Sequence, residues 1–487
     1  MASEPVRGVA LAFAALLSVF VATYRIEASS WLSDELDYRD AGLQYVHGDT
    51  HANREHPPLG KYVFGLAQAI SGSSRPAAVR LPSATASVIT GVLLFALARR
   101  MAGFFTGWLA LVLWTVLPRG TISLGVPRID RLAMLEPSMT LFVAIALWLG
   151  WRWYEGGSWG HAAGAGIALG LAAATKLTAV FVVPAILALP VVARRDRRSL
   201  RQSAVAGIAC AATAAAAYLP LGREAPAAIR YMVAFQAAHN RQGHPMTVAG
   251  FTYLHPPWWS NLWWQWLDYG TLAIAATAIA VILGGLWAAR GPFLYAAAAT
   301  AGPLLYLSFG SGVKLPHYYA AWQAPQIVLL ALSLGSVASR PGWHRAIAIV
   351  LALPLAWIGG ATVARIAWLG PDDYQLAAKL LRDESVTRGR IVAIGSAQVA
   401  SEYIPGVSDS LHEKPRPVAV VDDRLYSSAY FGHRKEVYDG FIDAIAGGAT
   451  VHRIGHLTVY LVSPVPLRRN HPPAPRPPPG AAAAGPP

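Results

Sequence analysis

Over the first three quarters of the chain, apolar residues gather into runs near 20 residues long, separated by short polar gaps. The runs fall at 8–24, 77–98, 103–118, 136–152, 161–175, 177–193, 202–221, 267–288, 292–309, 316–337 and 346–366. At about 1.5 Å per helical residue, such a run matches a hydrocarbon layer about 30 Å thick. The pattern predicts about eleven transmembrane helices. After Trp368 the periodicity changes: 390–395, 417–421 and 457–462 read as strands, and 375–382 and 437–445 as helices. The expected fold is an all-α polytopic membrane domain over 1–370, followed by a small external α/β domain over 371–465. Residues 466–487 form a Pro/Ala-rich tail that lacks the means to bury a core, so disorder is expected there.

Composition strengthens this reading. Hydrophobic residues make up 54% of the 487 and charged residues only 14%, against roughly 25% in a soluble domain, which excludes a soluble multidomain enzyme. The net charge of +14 would suit a polyanion, but many of the basic residues lie in gaps between spans. Arg99 and Arg100, the run from Arg194 to Arg201, Arg290, Arg340 and Arg345 all fall on one side, the cytoplasmic side by the positive-inside rule. Nucleic acid is therefore not an expected partner; the lipid bilayer is. The N-terminus is expected inside, and the gaps 25–76, 119–135 and 222–266 and the C-terminal domain outside. Arg7 ahead of the first run also fits a cleaved signal sequence, but the parity of the other spans works with the run retained. Of the 40 basic residues 34 are Arg, which suits a GC-rich bacterial genome and hence a bacterial inner membrane. The lone Cys210 permits no intrachain disulfide. No internal repeat is evident, which weakens the case for a transporter built from duplicated halves.

The external gaps carry more ionisable groups than topology demands. The first holds the adjacent acids Asp34 and Glu35, with Trp31, Leu36, Tyr38, Leu43 and Tyr45 interleaved, as in amphipathic helices lying along the interface. In Glu55-His56-Pro57-Pro58-Leu59-Gly60-Lys61 the prolines force an extended entry into a helix whose N-terminus, with His56 and Lys61, favours an anion such as phosphate. A plain proline-capped helix start reads equally well. The second gap contains Arg119, Arg128, Asp130, Arg131 and Glu136; Lys176 interrupts an apolar stretch; Lys314 precedes Pro316-His317-Tyr318. Each cation alone is compatible with snorkelling to headgroups, whereas several converging on one face suit a lipid-borne phosphate. His239 and Arg241 mark the third gap, and the Trp residues at 258, 259, 263, 264 and 266 form an interfacial belt. Glu55 with a histidine such as His239 is a possible divalent metal pair, since imidazole and carboxylate suit Zn or Mn. Asp422 and Asp423 read as a strand end and its turn.

Taken in order, the motifs resemble the GT-C glycosyltransferases of the protein O-mannosyltransferase type, family 39 and its relatives, including the bacterial enzymes that add aminoarabinose to lipid A. The resemblance spans roughly residues 8–337 and rests on Asp34-Glu35, His56-Pro57-Pro58-Leu59 with Gly60-Lys61, Arg128-Ile129-Asp130 through Leu135-Glu136-Pro137, Thr175-Lys176, and Lys314 through Tyr318. Glu136-Pro137 stands where many relatives have Asp-Pro. The resemblance implies inverting transfer of a sugar, mannose, arabinose or a related one, from a polyprenyl-phosphate donor. The acceptor would be a hydroxyl of a protein, lipid or cell-envelope glycan on the outer face of the membrane. It implies Asp34 as general base, with Glu35, Asp130 and Glu136 as further catalytic candidates. His56, Lys61, Arg128, Arg131, Lys176, Arg241, Lys314 and Tyr318 form the phosphate-binding pool. By similarity to the aminoarabinose enzymes, Glu55 and His239 would hold a divalent metal (Zn, Mn or Mg). The competing classes are a transporter or flippase for lipid-linked sugars, which needs no base, and a non-catalytic assembly protein that works through its C-terminal domain.

Overall fold

The computed structural model describes residues 4–120, 128–386 and 389–462; the expected disordered tail 466–487 lies outside them. Every apolar run forms helix. After α1 (Glu4–Thr23), the gap 25–76 folds into α2 (Ser33–Val46) and α3 (Leu59–Ser71). Next come α4 (Pro76–Ala102), α5 (Phe104–Val116), α6 (Leu135–Gly156), α7 (Trp159–Thr175), α8 (Val183–Arg194), α9 (Arg197–Ala216) and α10 (Ala225–Gln242). A short hairpin of β1 (Met246–Val248) and β2 (Phe251–Tyr253) precedes α11 (Ser260–Trp287), α12 (Arg290–Leu305), α13 (Ala320–Ser339) and α14 (His344–Ala367).

Among the described residues, seven helices are long and apolar enough to cross a membrane, or eight if α9 and the segment Leu219–Gln242, bent by 76°, form one span. The sequence pattern suggested about eleven. The difference comes from shorter or more charged helices: α5 has 13 residues, a rise of only about 20 Å, and α6 carries Glu136, Arg152 and Glu155. Pro316–Ser339 is 83% buried against 22% for Glu4–Thr23, which puts α13 at the centre of the bundle and α1 at its rim. Small residues set two close crossings. A side chain on Gly166 or Gly170 of α7 would strike the carbonyls of Ala206 or Cys210 on α9, and one on Gly65 of α3 would lie 2.1 Å from the Gly42 carbonyl of α2.

The C-terminal domain is a five-stranded sheet in the order β4-β3-β5-β7-β6. It comprises β3 (Ile391–Ile394), β4 (Val407–Ser408), β5 (Ala419–Asp423), β6 (Ala449–Ile454) and β7 (Leu457–Val462). Strands β3, β4 and β5 run parallel, and β7 lies antiparallel to β5 and β6. Helices α15 (Asp373–Asp383), α16 (Ala397–Ser401), α17 (Arg424–Tyr430) and α18 (Lys435–Ala446) complete it. The three strands and two helices read from the sequence are present; β4, β6, α16 and α17 are additions, too short or too polar to stand out. Asp423 ends β5 and caps α17, its Oδ1 accepting from the Tyr426 amide at 2.9 Å.

This domain sits directly on α2. Trp31 and Leu36 share one apolar core with Tyr374, Val399 and Val459. Polar contacts flank it: Arg39 to Glu402 at 2.6 Å, Gln398 to Asp37 at 2.9 Å, Ser30 to Asp372 at 2.7 Å and Ser33 to Tyr426 at 2.8 Å.

Candidate active site

The adjacent acids Asp34 and Glu35 have opposite surroundings. Glu35, fully buried, accepts from Arg80 Nε and Nη2 at 2.8 Å each, from the Ala133 amide at 2.6 Å and from the Leu32 amide at 3.0 Å. The last bond reaches back from the first turn of α2 to the residue before it, as a helix-starting Glu commonly does. Arg80 in turn holds the carbonyls of Ile26, Ser29 and Ser30 at 2.9 Å each. Glu35 therefore ties α2 and α4 to the segment that joins α1 to α2. Arg80, a lone cation near the head of an apolar run, was the signal that could have revealed this role.

Asp34, also in the first turn of α2, is half-buried, and among the described residues its carboxylate has no hydrogen-bond partner; Glu35, Asp37 and Asp40 of the same helix all have one. Burial raises its pKa to about 6, opposed by nearby Lys176 and assisted by Glu136, Asp37 and Glu35.

Across from Asp34 lies a group drawn from three distant segments. Helix α7 ends at Thr175, and Lys176 is extended, which turns its ammonium onto the Glu136 carboxylate. Glu136 occupies the first turn of α6, where Pro137 is tolerated. His317, in the turn Pro316–Tyr319 before α13, brings Nε2 to 3.3 Å from Glu136 Oε1. Lys176 Nζ also stands 4.7 Å from the centre of the Tyr318 ring. Among the described residues, Glu136 Oε2 and His317 Nδ1 are buried without a hydrogen-bond partner.

A cavity of about 280 Å³ opens beside this group. Its polar lining residues include Lys176, Tyr318, His56, His239, Gln236 and Asn240, and its apolar ones Leu177, Val180, Phe181 and Leu307. His56 packs edge-on to Tyr38 at 5.7 Å, and burial together with Lys176 and Lys61 holds its pKa well below the ordinary value, so the ring is neutral. Gln236, Asn240, Tyr306 and Ser311, also in the wall, carried no motif in the sequence.

The remaining candidates lie elsewhere. Lys61 donates to the carbonyls of Asn53 and His56, the latter at 2.8 Å, and stands 4.9 Å from the Tyr45 ring centre. It fastens the loop before α3, and burial lowers its pKa to about 7. Lys314 donates to the Ser311 carbonyl at 2.6 Å. Arg241 is exposed. Arg131 donates to the Val21 and Tyr24 carbonyls at 2.6 Å, closing the C-terminal end of α1. Arg128 and Arg119 both pair with Asp130, which also accepts from Ser87. Those charges hold the Asp130 carboxyl well below the usual range against its burial. Residues 121–127, part of the same gap, lie outside the described residues.

The two residues of the expected metal pair have other contacts among the described residues. Glu55 Oε1 accepts from Asn53 at 2.7 Å, and the His239 ring stacks on Phe235 at 5.6 Å. Their loops meet instead through Gln236, which donates to the Glu55 carbonyl at 2.8 Å. Among the described residues no group of three or more His, Cys, Asp or Glu side chains is placed to hold an ion.

Residues 55–221 match the family model described as dolichyl-phosphate-mannose-protein mannosyltransferase. The structure is similar to that of ArnT from Cupriavidus metallidurans bound to undecaprenyl phosphate. The match has a TM-score of 0.57 at 14% identity, over 94% of this chain and 98% of ArnT. The fold is that of the GT-C glycosyltransferases. An Archaeoglobus fulgidus oligosaccharyltransferase tethered with an acceptor peptide shares the GT-C fold, with a TM-score of 0.57 at 13% identity over 95% of this chain and 74% of that one. AglB of the same organism, in complex with an inhibitory peptide and a dolichol-phosphate, has a TM-score of 0.55 at 14% identity over 95% and 75%. No curated protein matches by sequence. The likeness to ArnT reaches past residues 8–337 into the C-terminal domain, which the motifs alone did not cover.

Proposed function

We propose that the protein is an inverting glycosyltransferase acting at the outer face of a bacterial inner membrane. It transfers a sugar, mannose, arabinose or a related one, from a polyprenyl-phosphate donor to a hydroxyl of a protein, lipid or cell-envelope glycan. The observation that carries this reading is Asp34: a carboxylate with no hydrogen-bond partner among the described residues, raised to about 6, close to Lys176, which lines a cavity with both polar and apolar walls.

The donor's phosphate lies against Lys176, with Tyr318 and His56 beside it, and its chain leaves along Val180, Phe181 and Leu307. The acceptor oxygen attacks the anomeric carbon from the face opposite the phosphate and forms the new C–O bond. The bond to the phosphate oxygen breaks, its electron pair stays on the phosphate, and the acceptor proton passes to Asp34. Charge grows on the leaving phosphate in the transition state, so a preplaced ammonium stabilises that state more than the bound donor. Glu136 and His317 fix the ammonium, while Glu35 and Arg80 fix the helix that carries the base.

The test is consumption of labelled polyprenyl-phosphate sugars by the lipid-reconstituted protein, wild type against Asp34→Asn. Turnover of one donor by wild type, reduced about 100-fold or more in the variant, is expected. Equal movement of donors across vesicles by both proteins, with no product from any acceptor, would replace the transferase with a flippase.

A further inference from the structure

A second cavity, of about 160 Å³, lies where the first external segment meets the C-terminal domain. We propose that it binds a neutral, hydroxyl-rich ring of the acceptor, a sugar unit held next to the attacking hydroxyl; this rests on the transferase reading above. Three observations carry it.

The first is position. Leu32 and Tyr426 line this cavity, and Tyr426 Oη contacts Ser33 Oγ at 2.8 Å, one residue before Asp34. Lys176, the cation facing Asp34, lines the other cavity. Asp34, at the start of α2, is therefore a neighbour of Tyr426 in the wall of one cavity and of Lys176 in the wall of the other. A general base for glycosyl transfer belongs between donor and acceptor, and the cavity lined by Lys176 suits the donor's phosphate.

The second is charge. His456 places Nδ1 2.6 Å from Asp373 and Nε2 3.5 Å from Asp423, and Asp423 also accepts from Tyr374 at 2.9 Å. These carboxylates raise the His456 pKa to about 10, so the ring is a cation matched within the wall. Two carboxylates against one imidazolium leave no positive charge to attract a phosphate. The wall offers carboxylate, hydroxyl and aromatic surfaces instead, the mixture that orients a neutral polyol.

The third is construction. Asp423 caps α17, the helix that carries Tyr426, so the same carboxylate that closes the His456 cluster also places the ring shared with the Asp34 side.

The test uses the full chain in nanodiscs and the methyl glycosides of mannose, galactose and arabinose as probes, read by saturation-transfer NMR. Gly370 borders the cavity, and a Cβ there would meet no atom within 4 Å, so Gly370→Trp places an indole at the cavity's rim without a backbone clash. At least one glycoside is expected to bind wild type and Asp34→Asn alike. Its affinity should fall tenfold or more in Gly370→Trp at unchanged melting temperature, and undecaprenyl phosphate should not compete. Absence of binding by all three, binding untouched by Gly370→Trp, or competition by undecaprenyl phosphate would overturn the proposal. Glycoside binding is read without turnover, so failure of the transferase reading shows separately, as equal donor consumption by wild type and Asp34→Asn.

Discussion

Two buried charge clusters, both singled out by their residues, differ in what they leave unsatisfied. Around Asp130, the guanidinium groups of Arg119 and Arg128 and the Ser87 hydroxyl close on one carboxylate. Around Glu136, Lys176 and His317 take one oxygen; among the described residues the other oxygen and His317 Nδ1 are unpaired, and Asp34 opposite has no hydrogen-bond partner. Buried polar groups are normally paired, so the second arrangement is costly unless a ligand completes it. The closed cluster serves the fold; the open one borders a cavity and suits chemistry.

The largest expected effect falls on the closed cluster. Asp130→Asn leaves two buried guanidinium groups without their counter-charge and should destabilise the protein by about 3–5 kcal/mol, seen as a fall in detergent melting temperature and yield. A stable, inactive variant would instead move Asp130 into the chemistry. Asp34→Asn should do the reverse: about 100-fold or more lost from transfer with melting temperature held or raised. The folded Asp34 pKa of about 6 lies above its unfolded value of 3.8, so ionising it opposes folding.

The same shift predicts the acid limb of the pH profile. Transfer should fall roughly tenfold per pH unit below about 6, as the base takes up a proton; a limb near 4 would assign the base elsewhere. The smallest effect concerns Lys61, lowered to about 7 from 10.5. Between those values the unfolded chain binds the extra proton, so this group makes stability rise with pH across that window. Lys61→Met should flatten that rise in a melting-temperature series.

The fold was largely legible because membrane helices and amphipathic interfacial helices declare themselves through apolar periodicity. The GT-C resemblance was carried by short motifs such as His56-Pro57-Pro58-Leu59. The site was legible by residue type but not by role. Asp34 and Glu35 are neighbours in sequence with identical chemistry, yet α2 turns one onto Arg80 and leaves the other facing Lys176. Arg128 and Lys176 both read as phosphate cations, yet one is consumed by Asp130.

The sequence by itself determined the helical membrane architecture, the C-terminal α/β domain and the pool of charged residues, because burial periodicity and composition are local properties. Only the tertiary structure decided which charges neutralise one another, that no metal cluster forms among the described residues, and that Tyr426 of the C-terminal domain meets Ser33 beside the candidate base. Those outcomes depend on contacts between segments up to 393 residues apart, and pairing across such distances is settled by packing rather than by any local pattern.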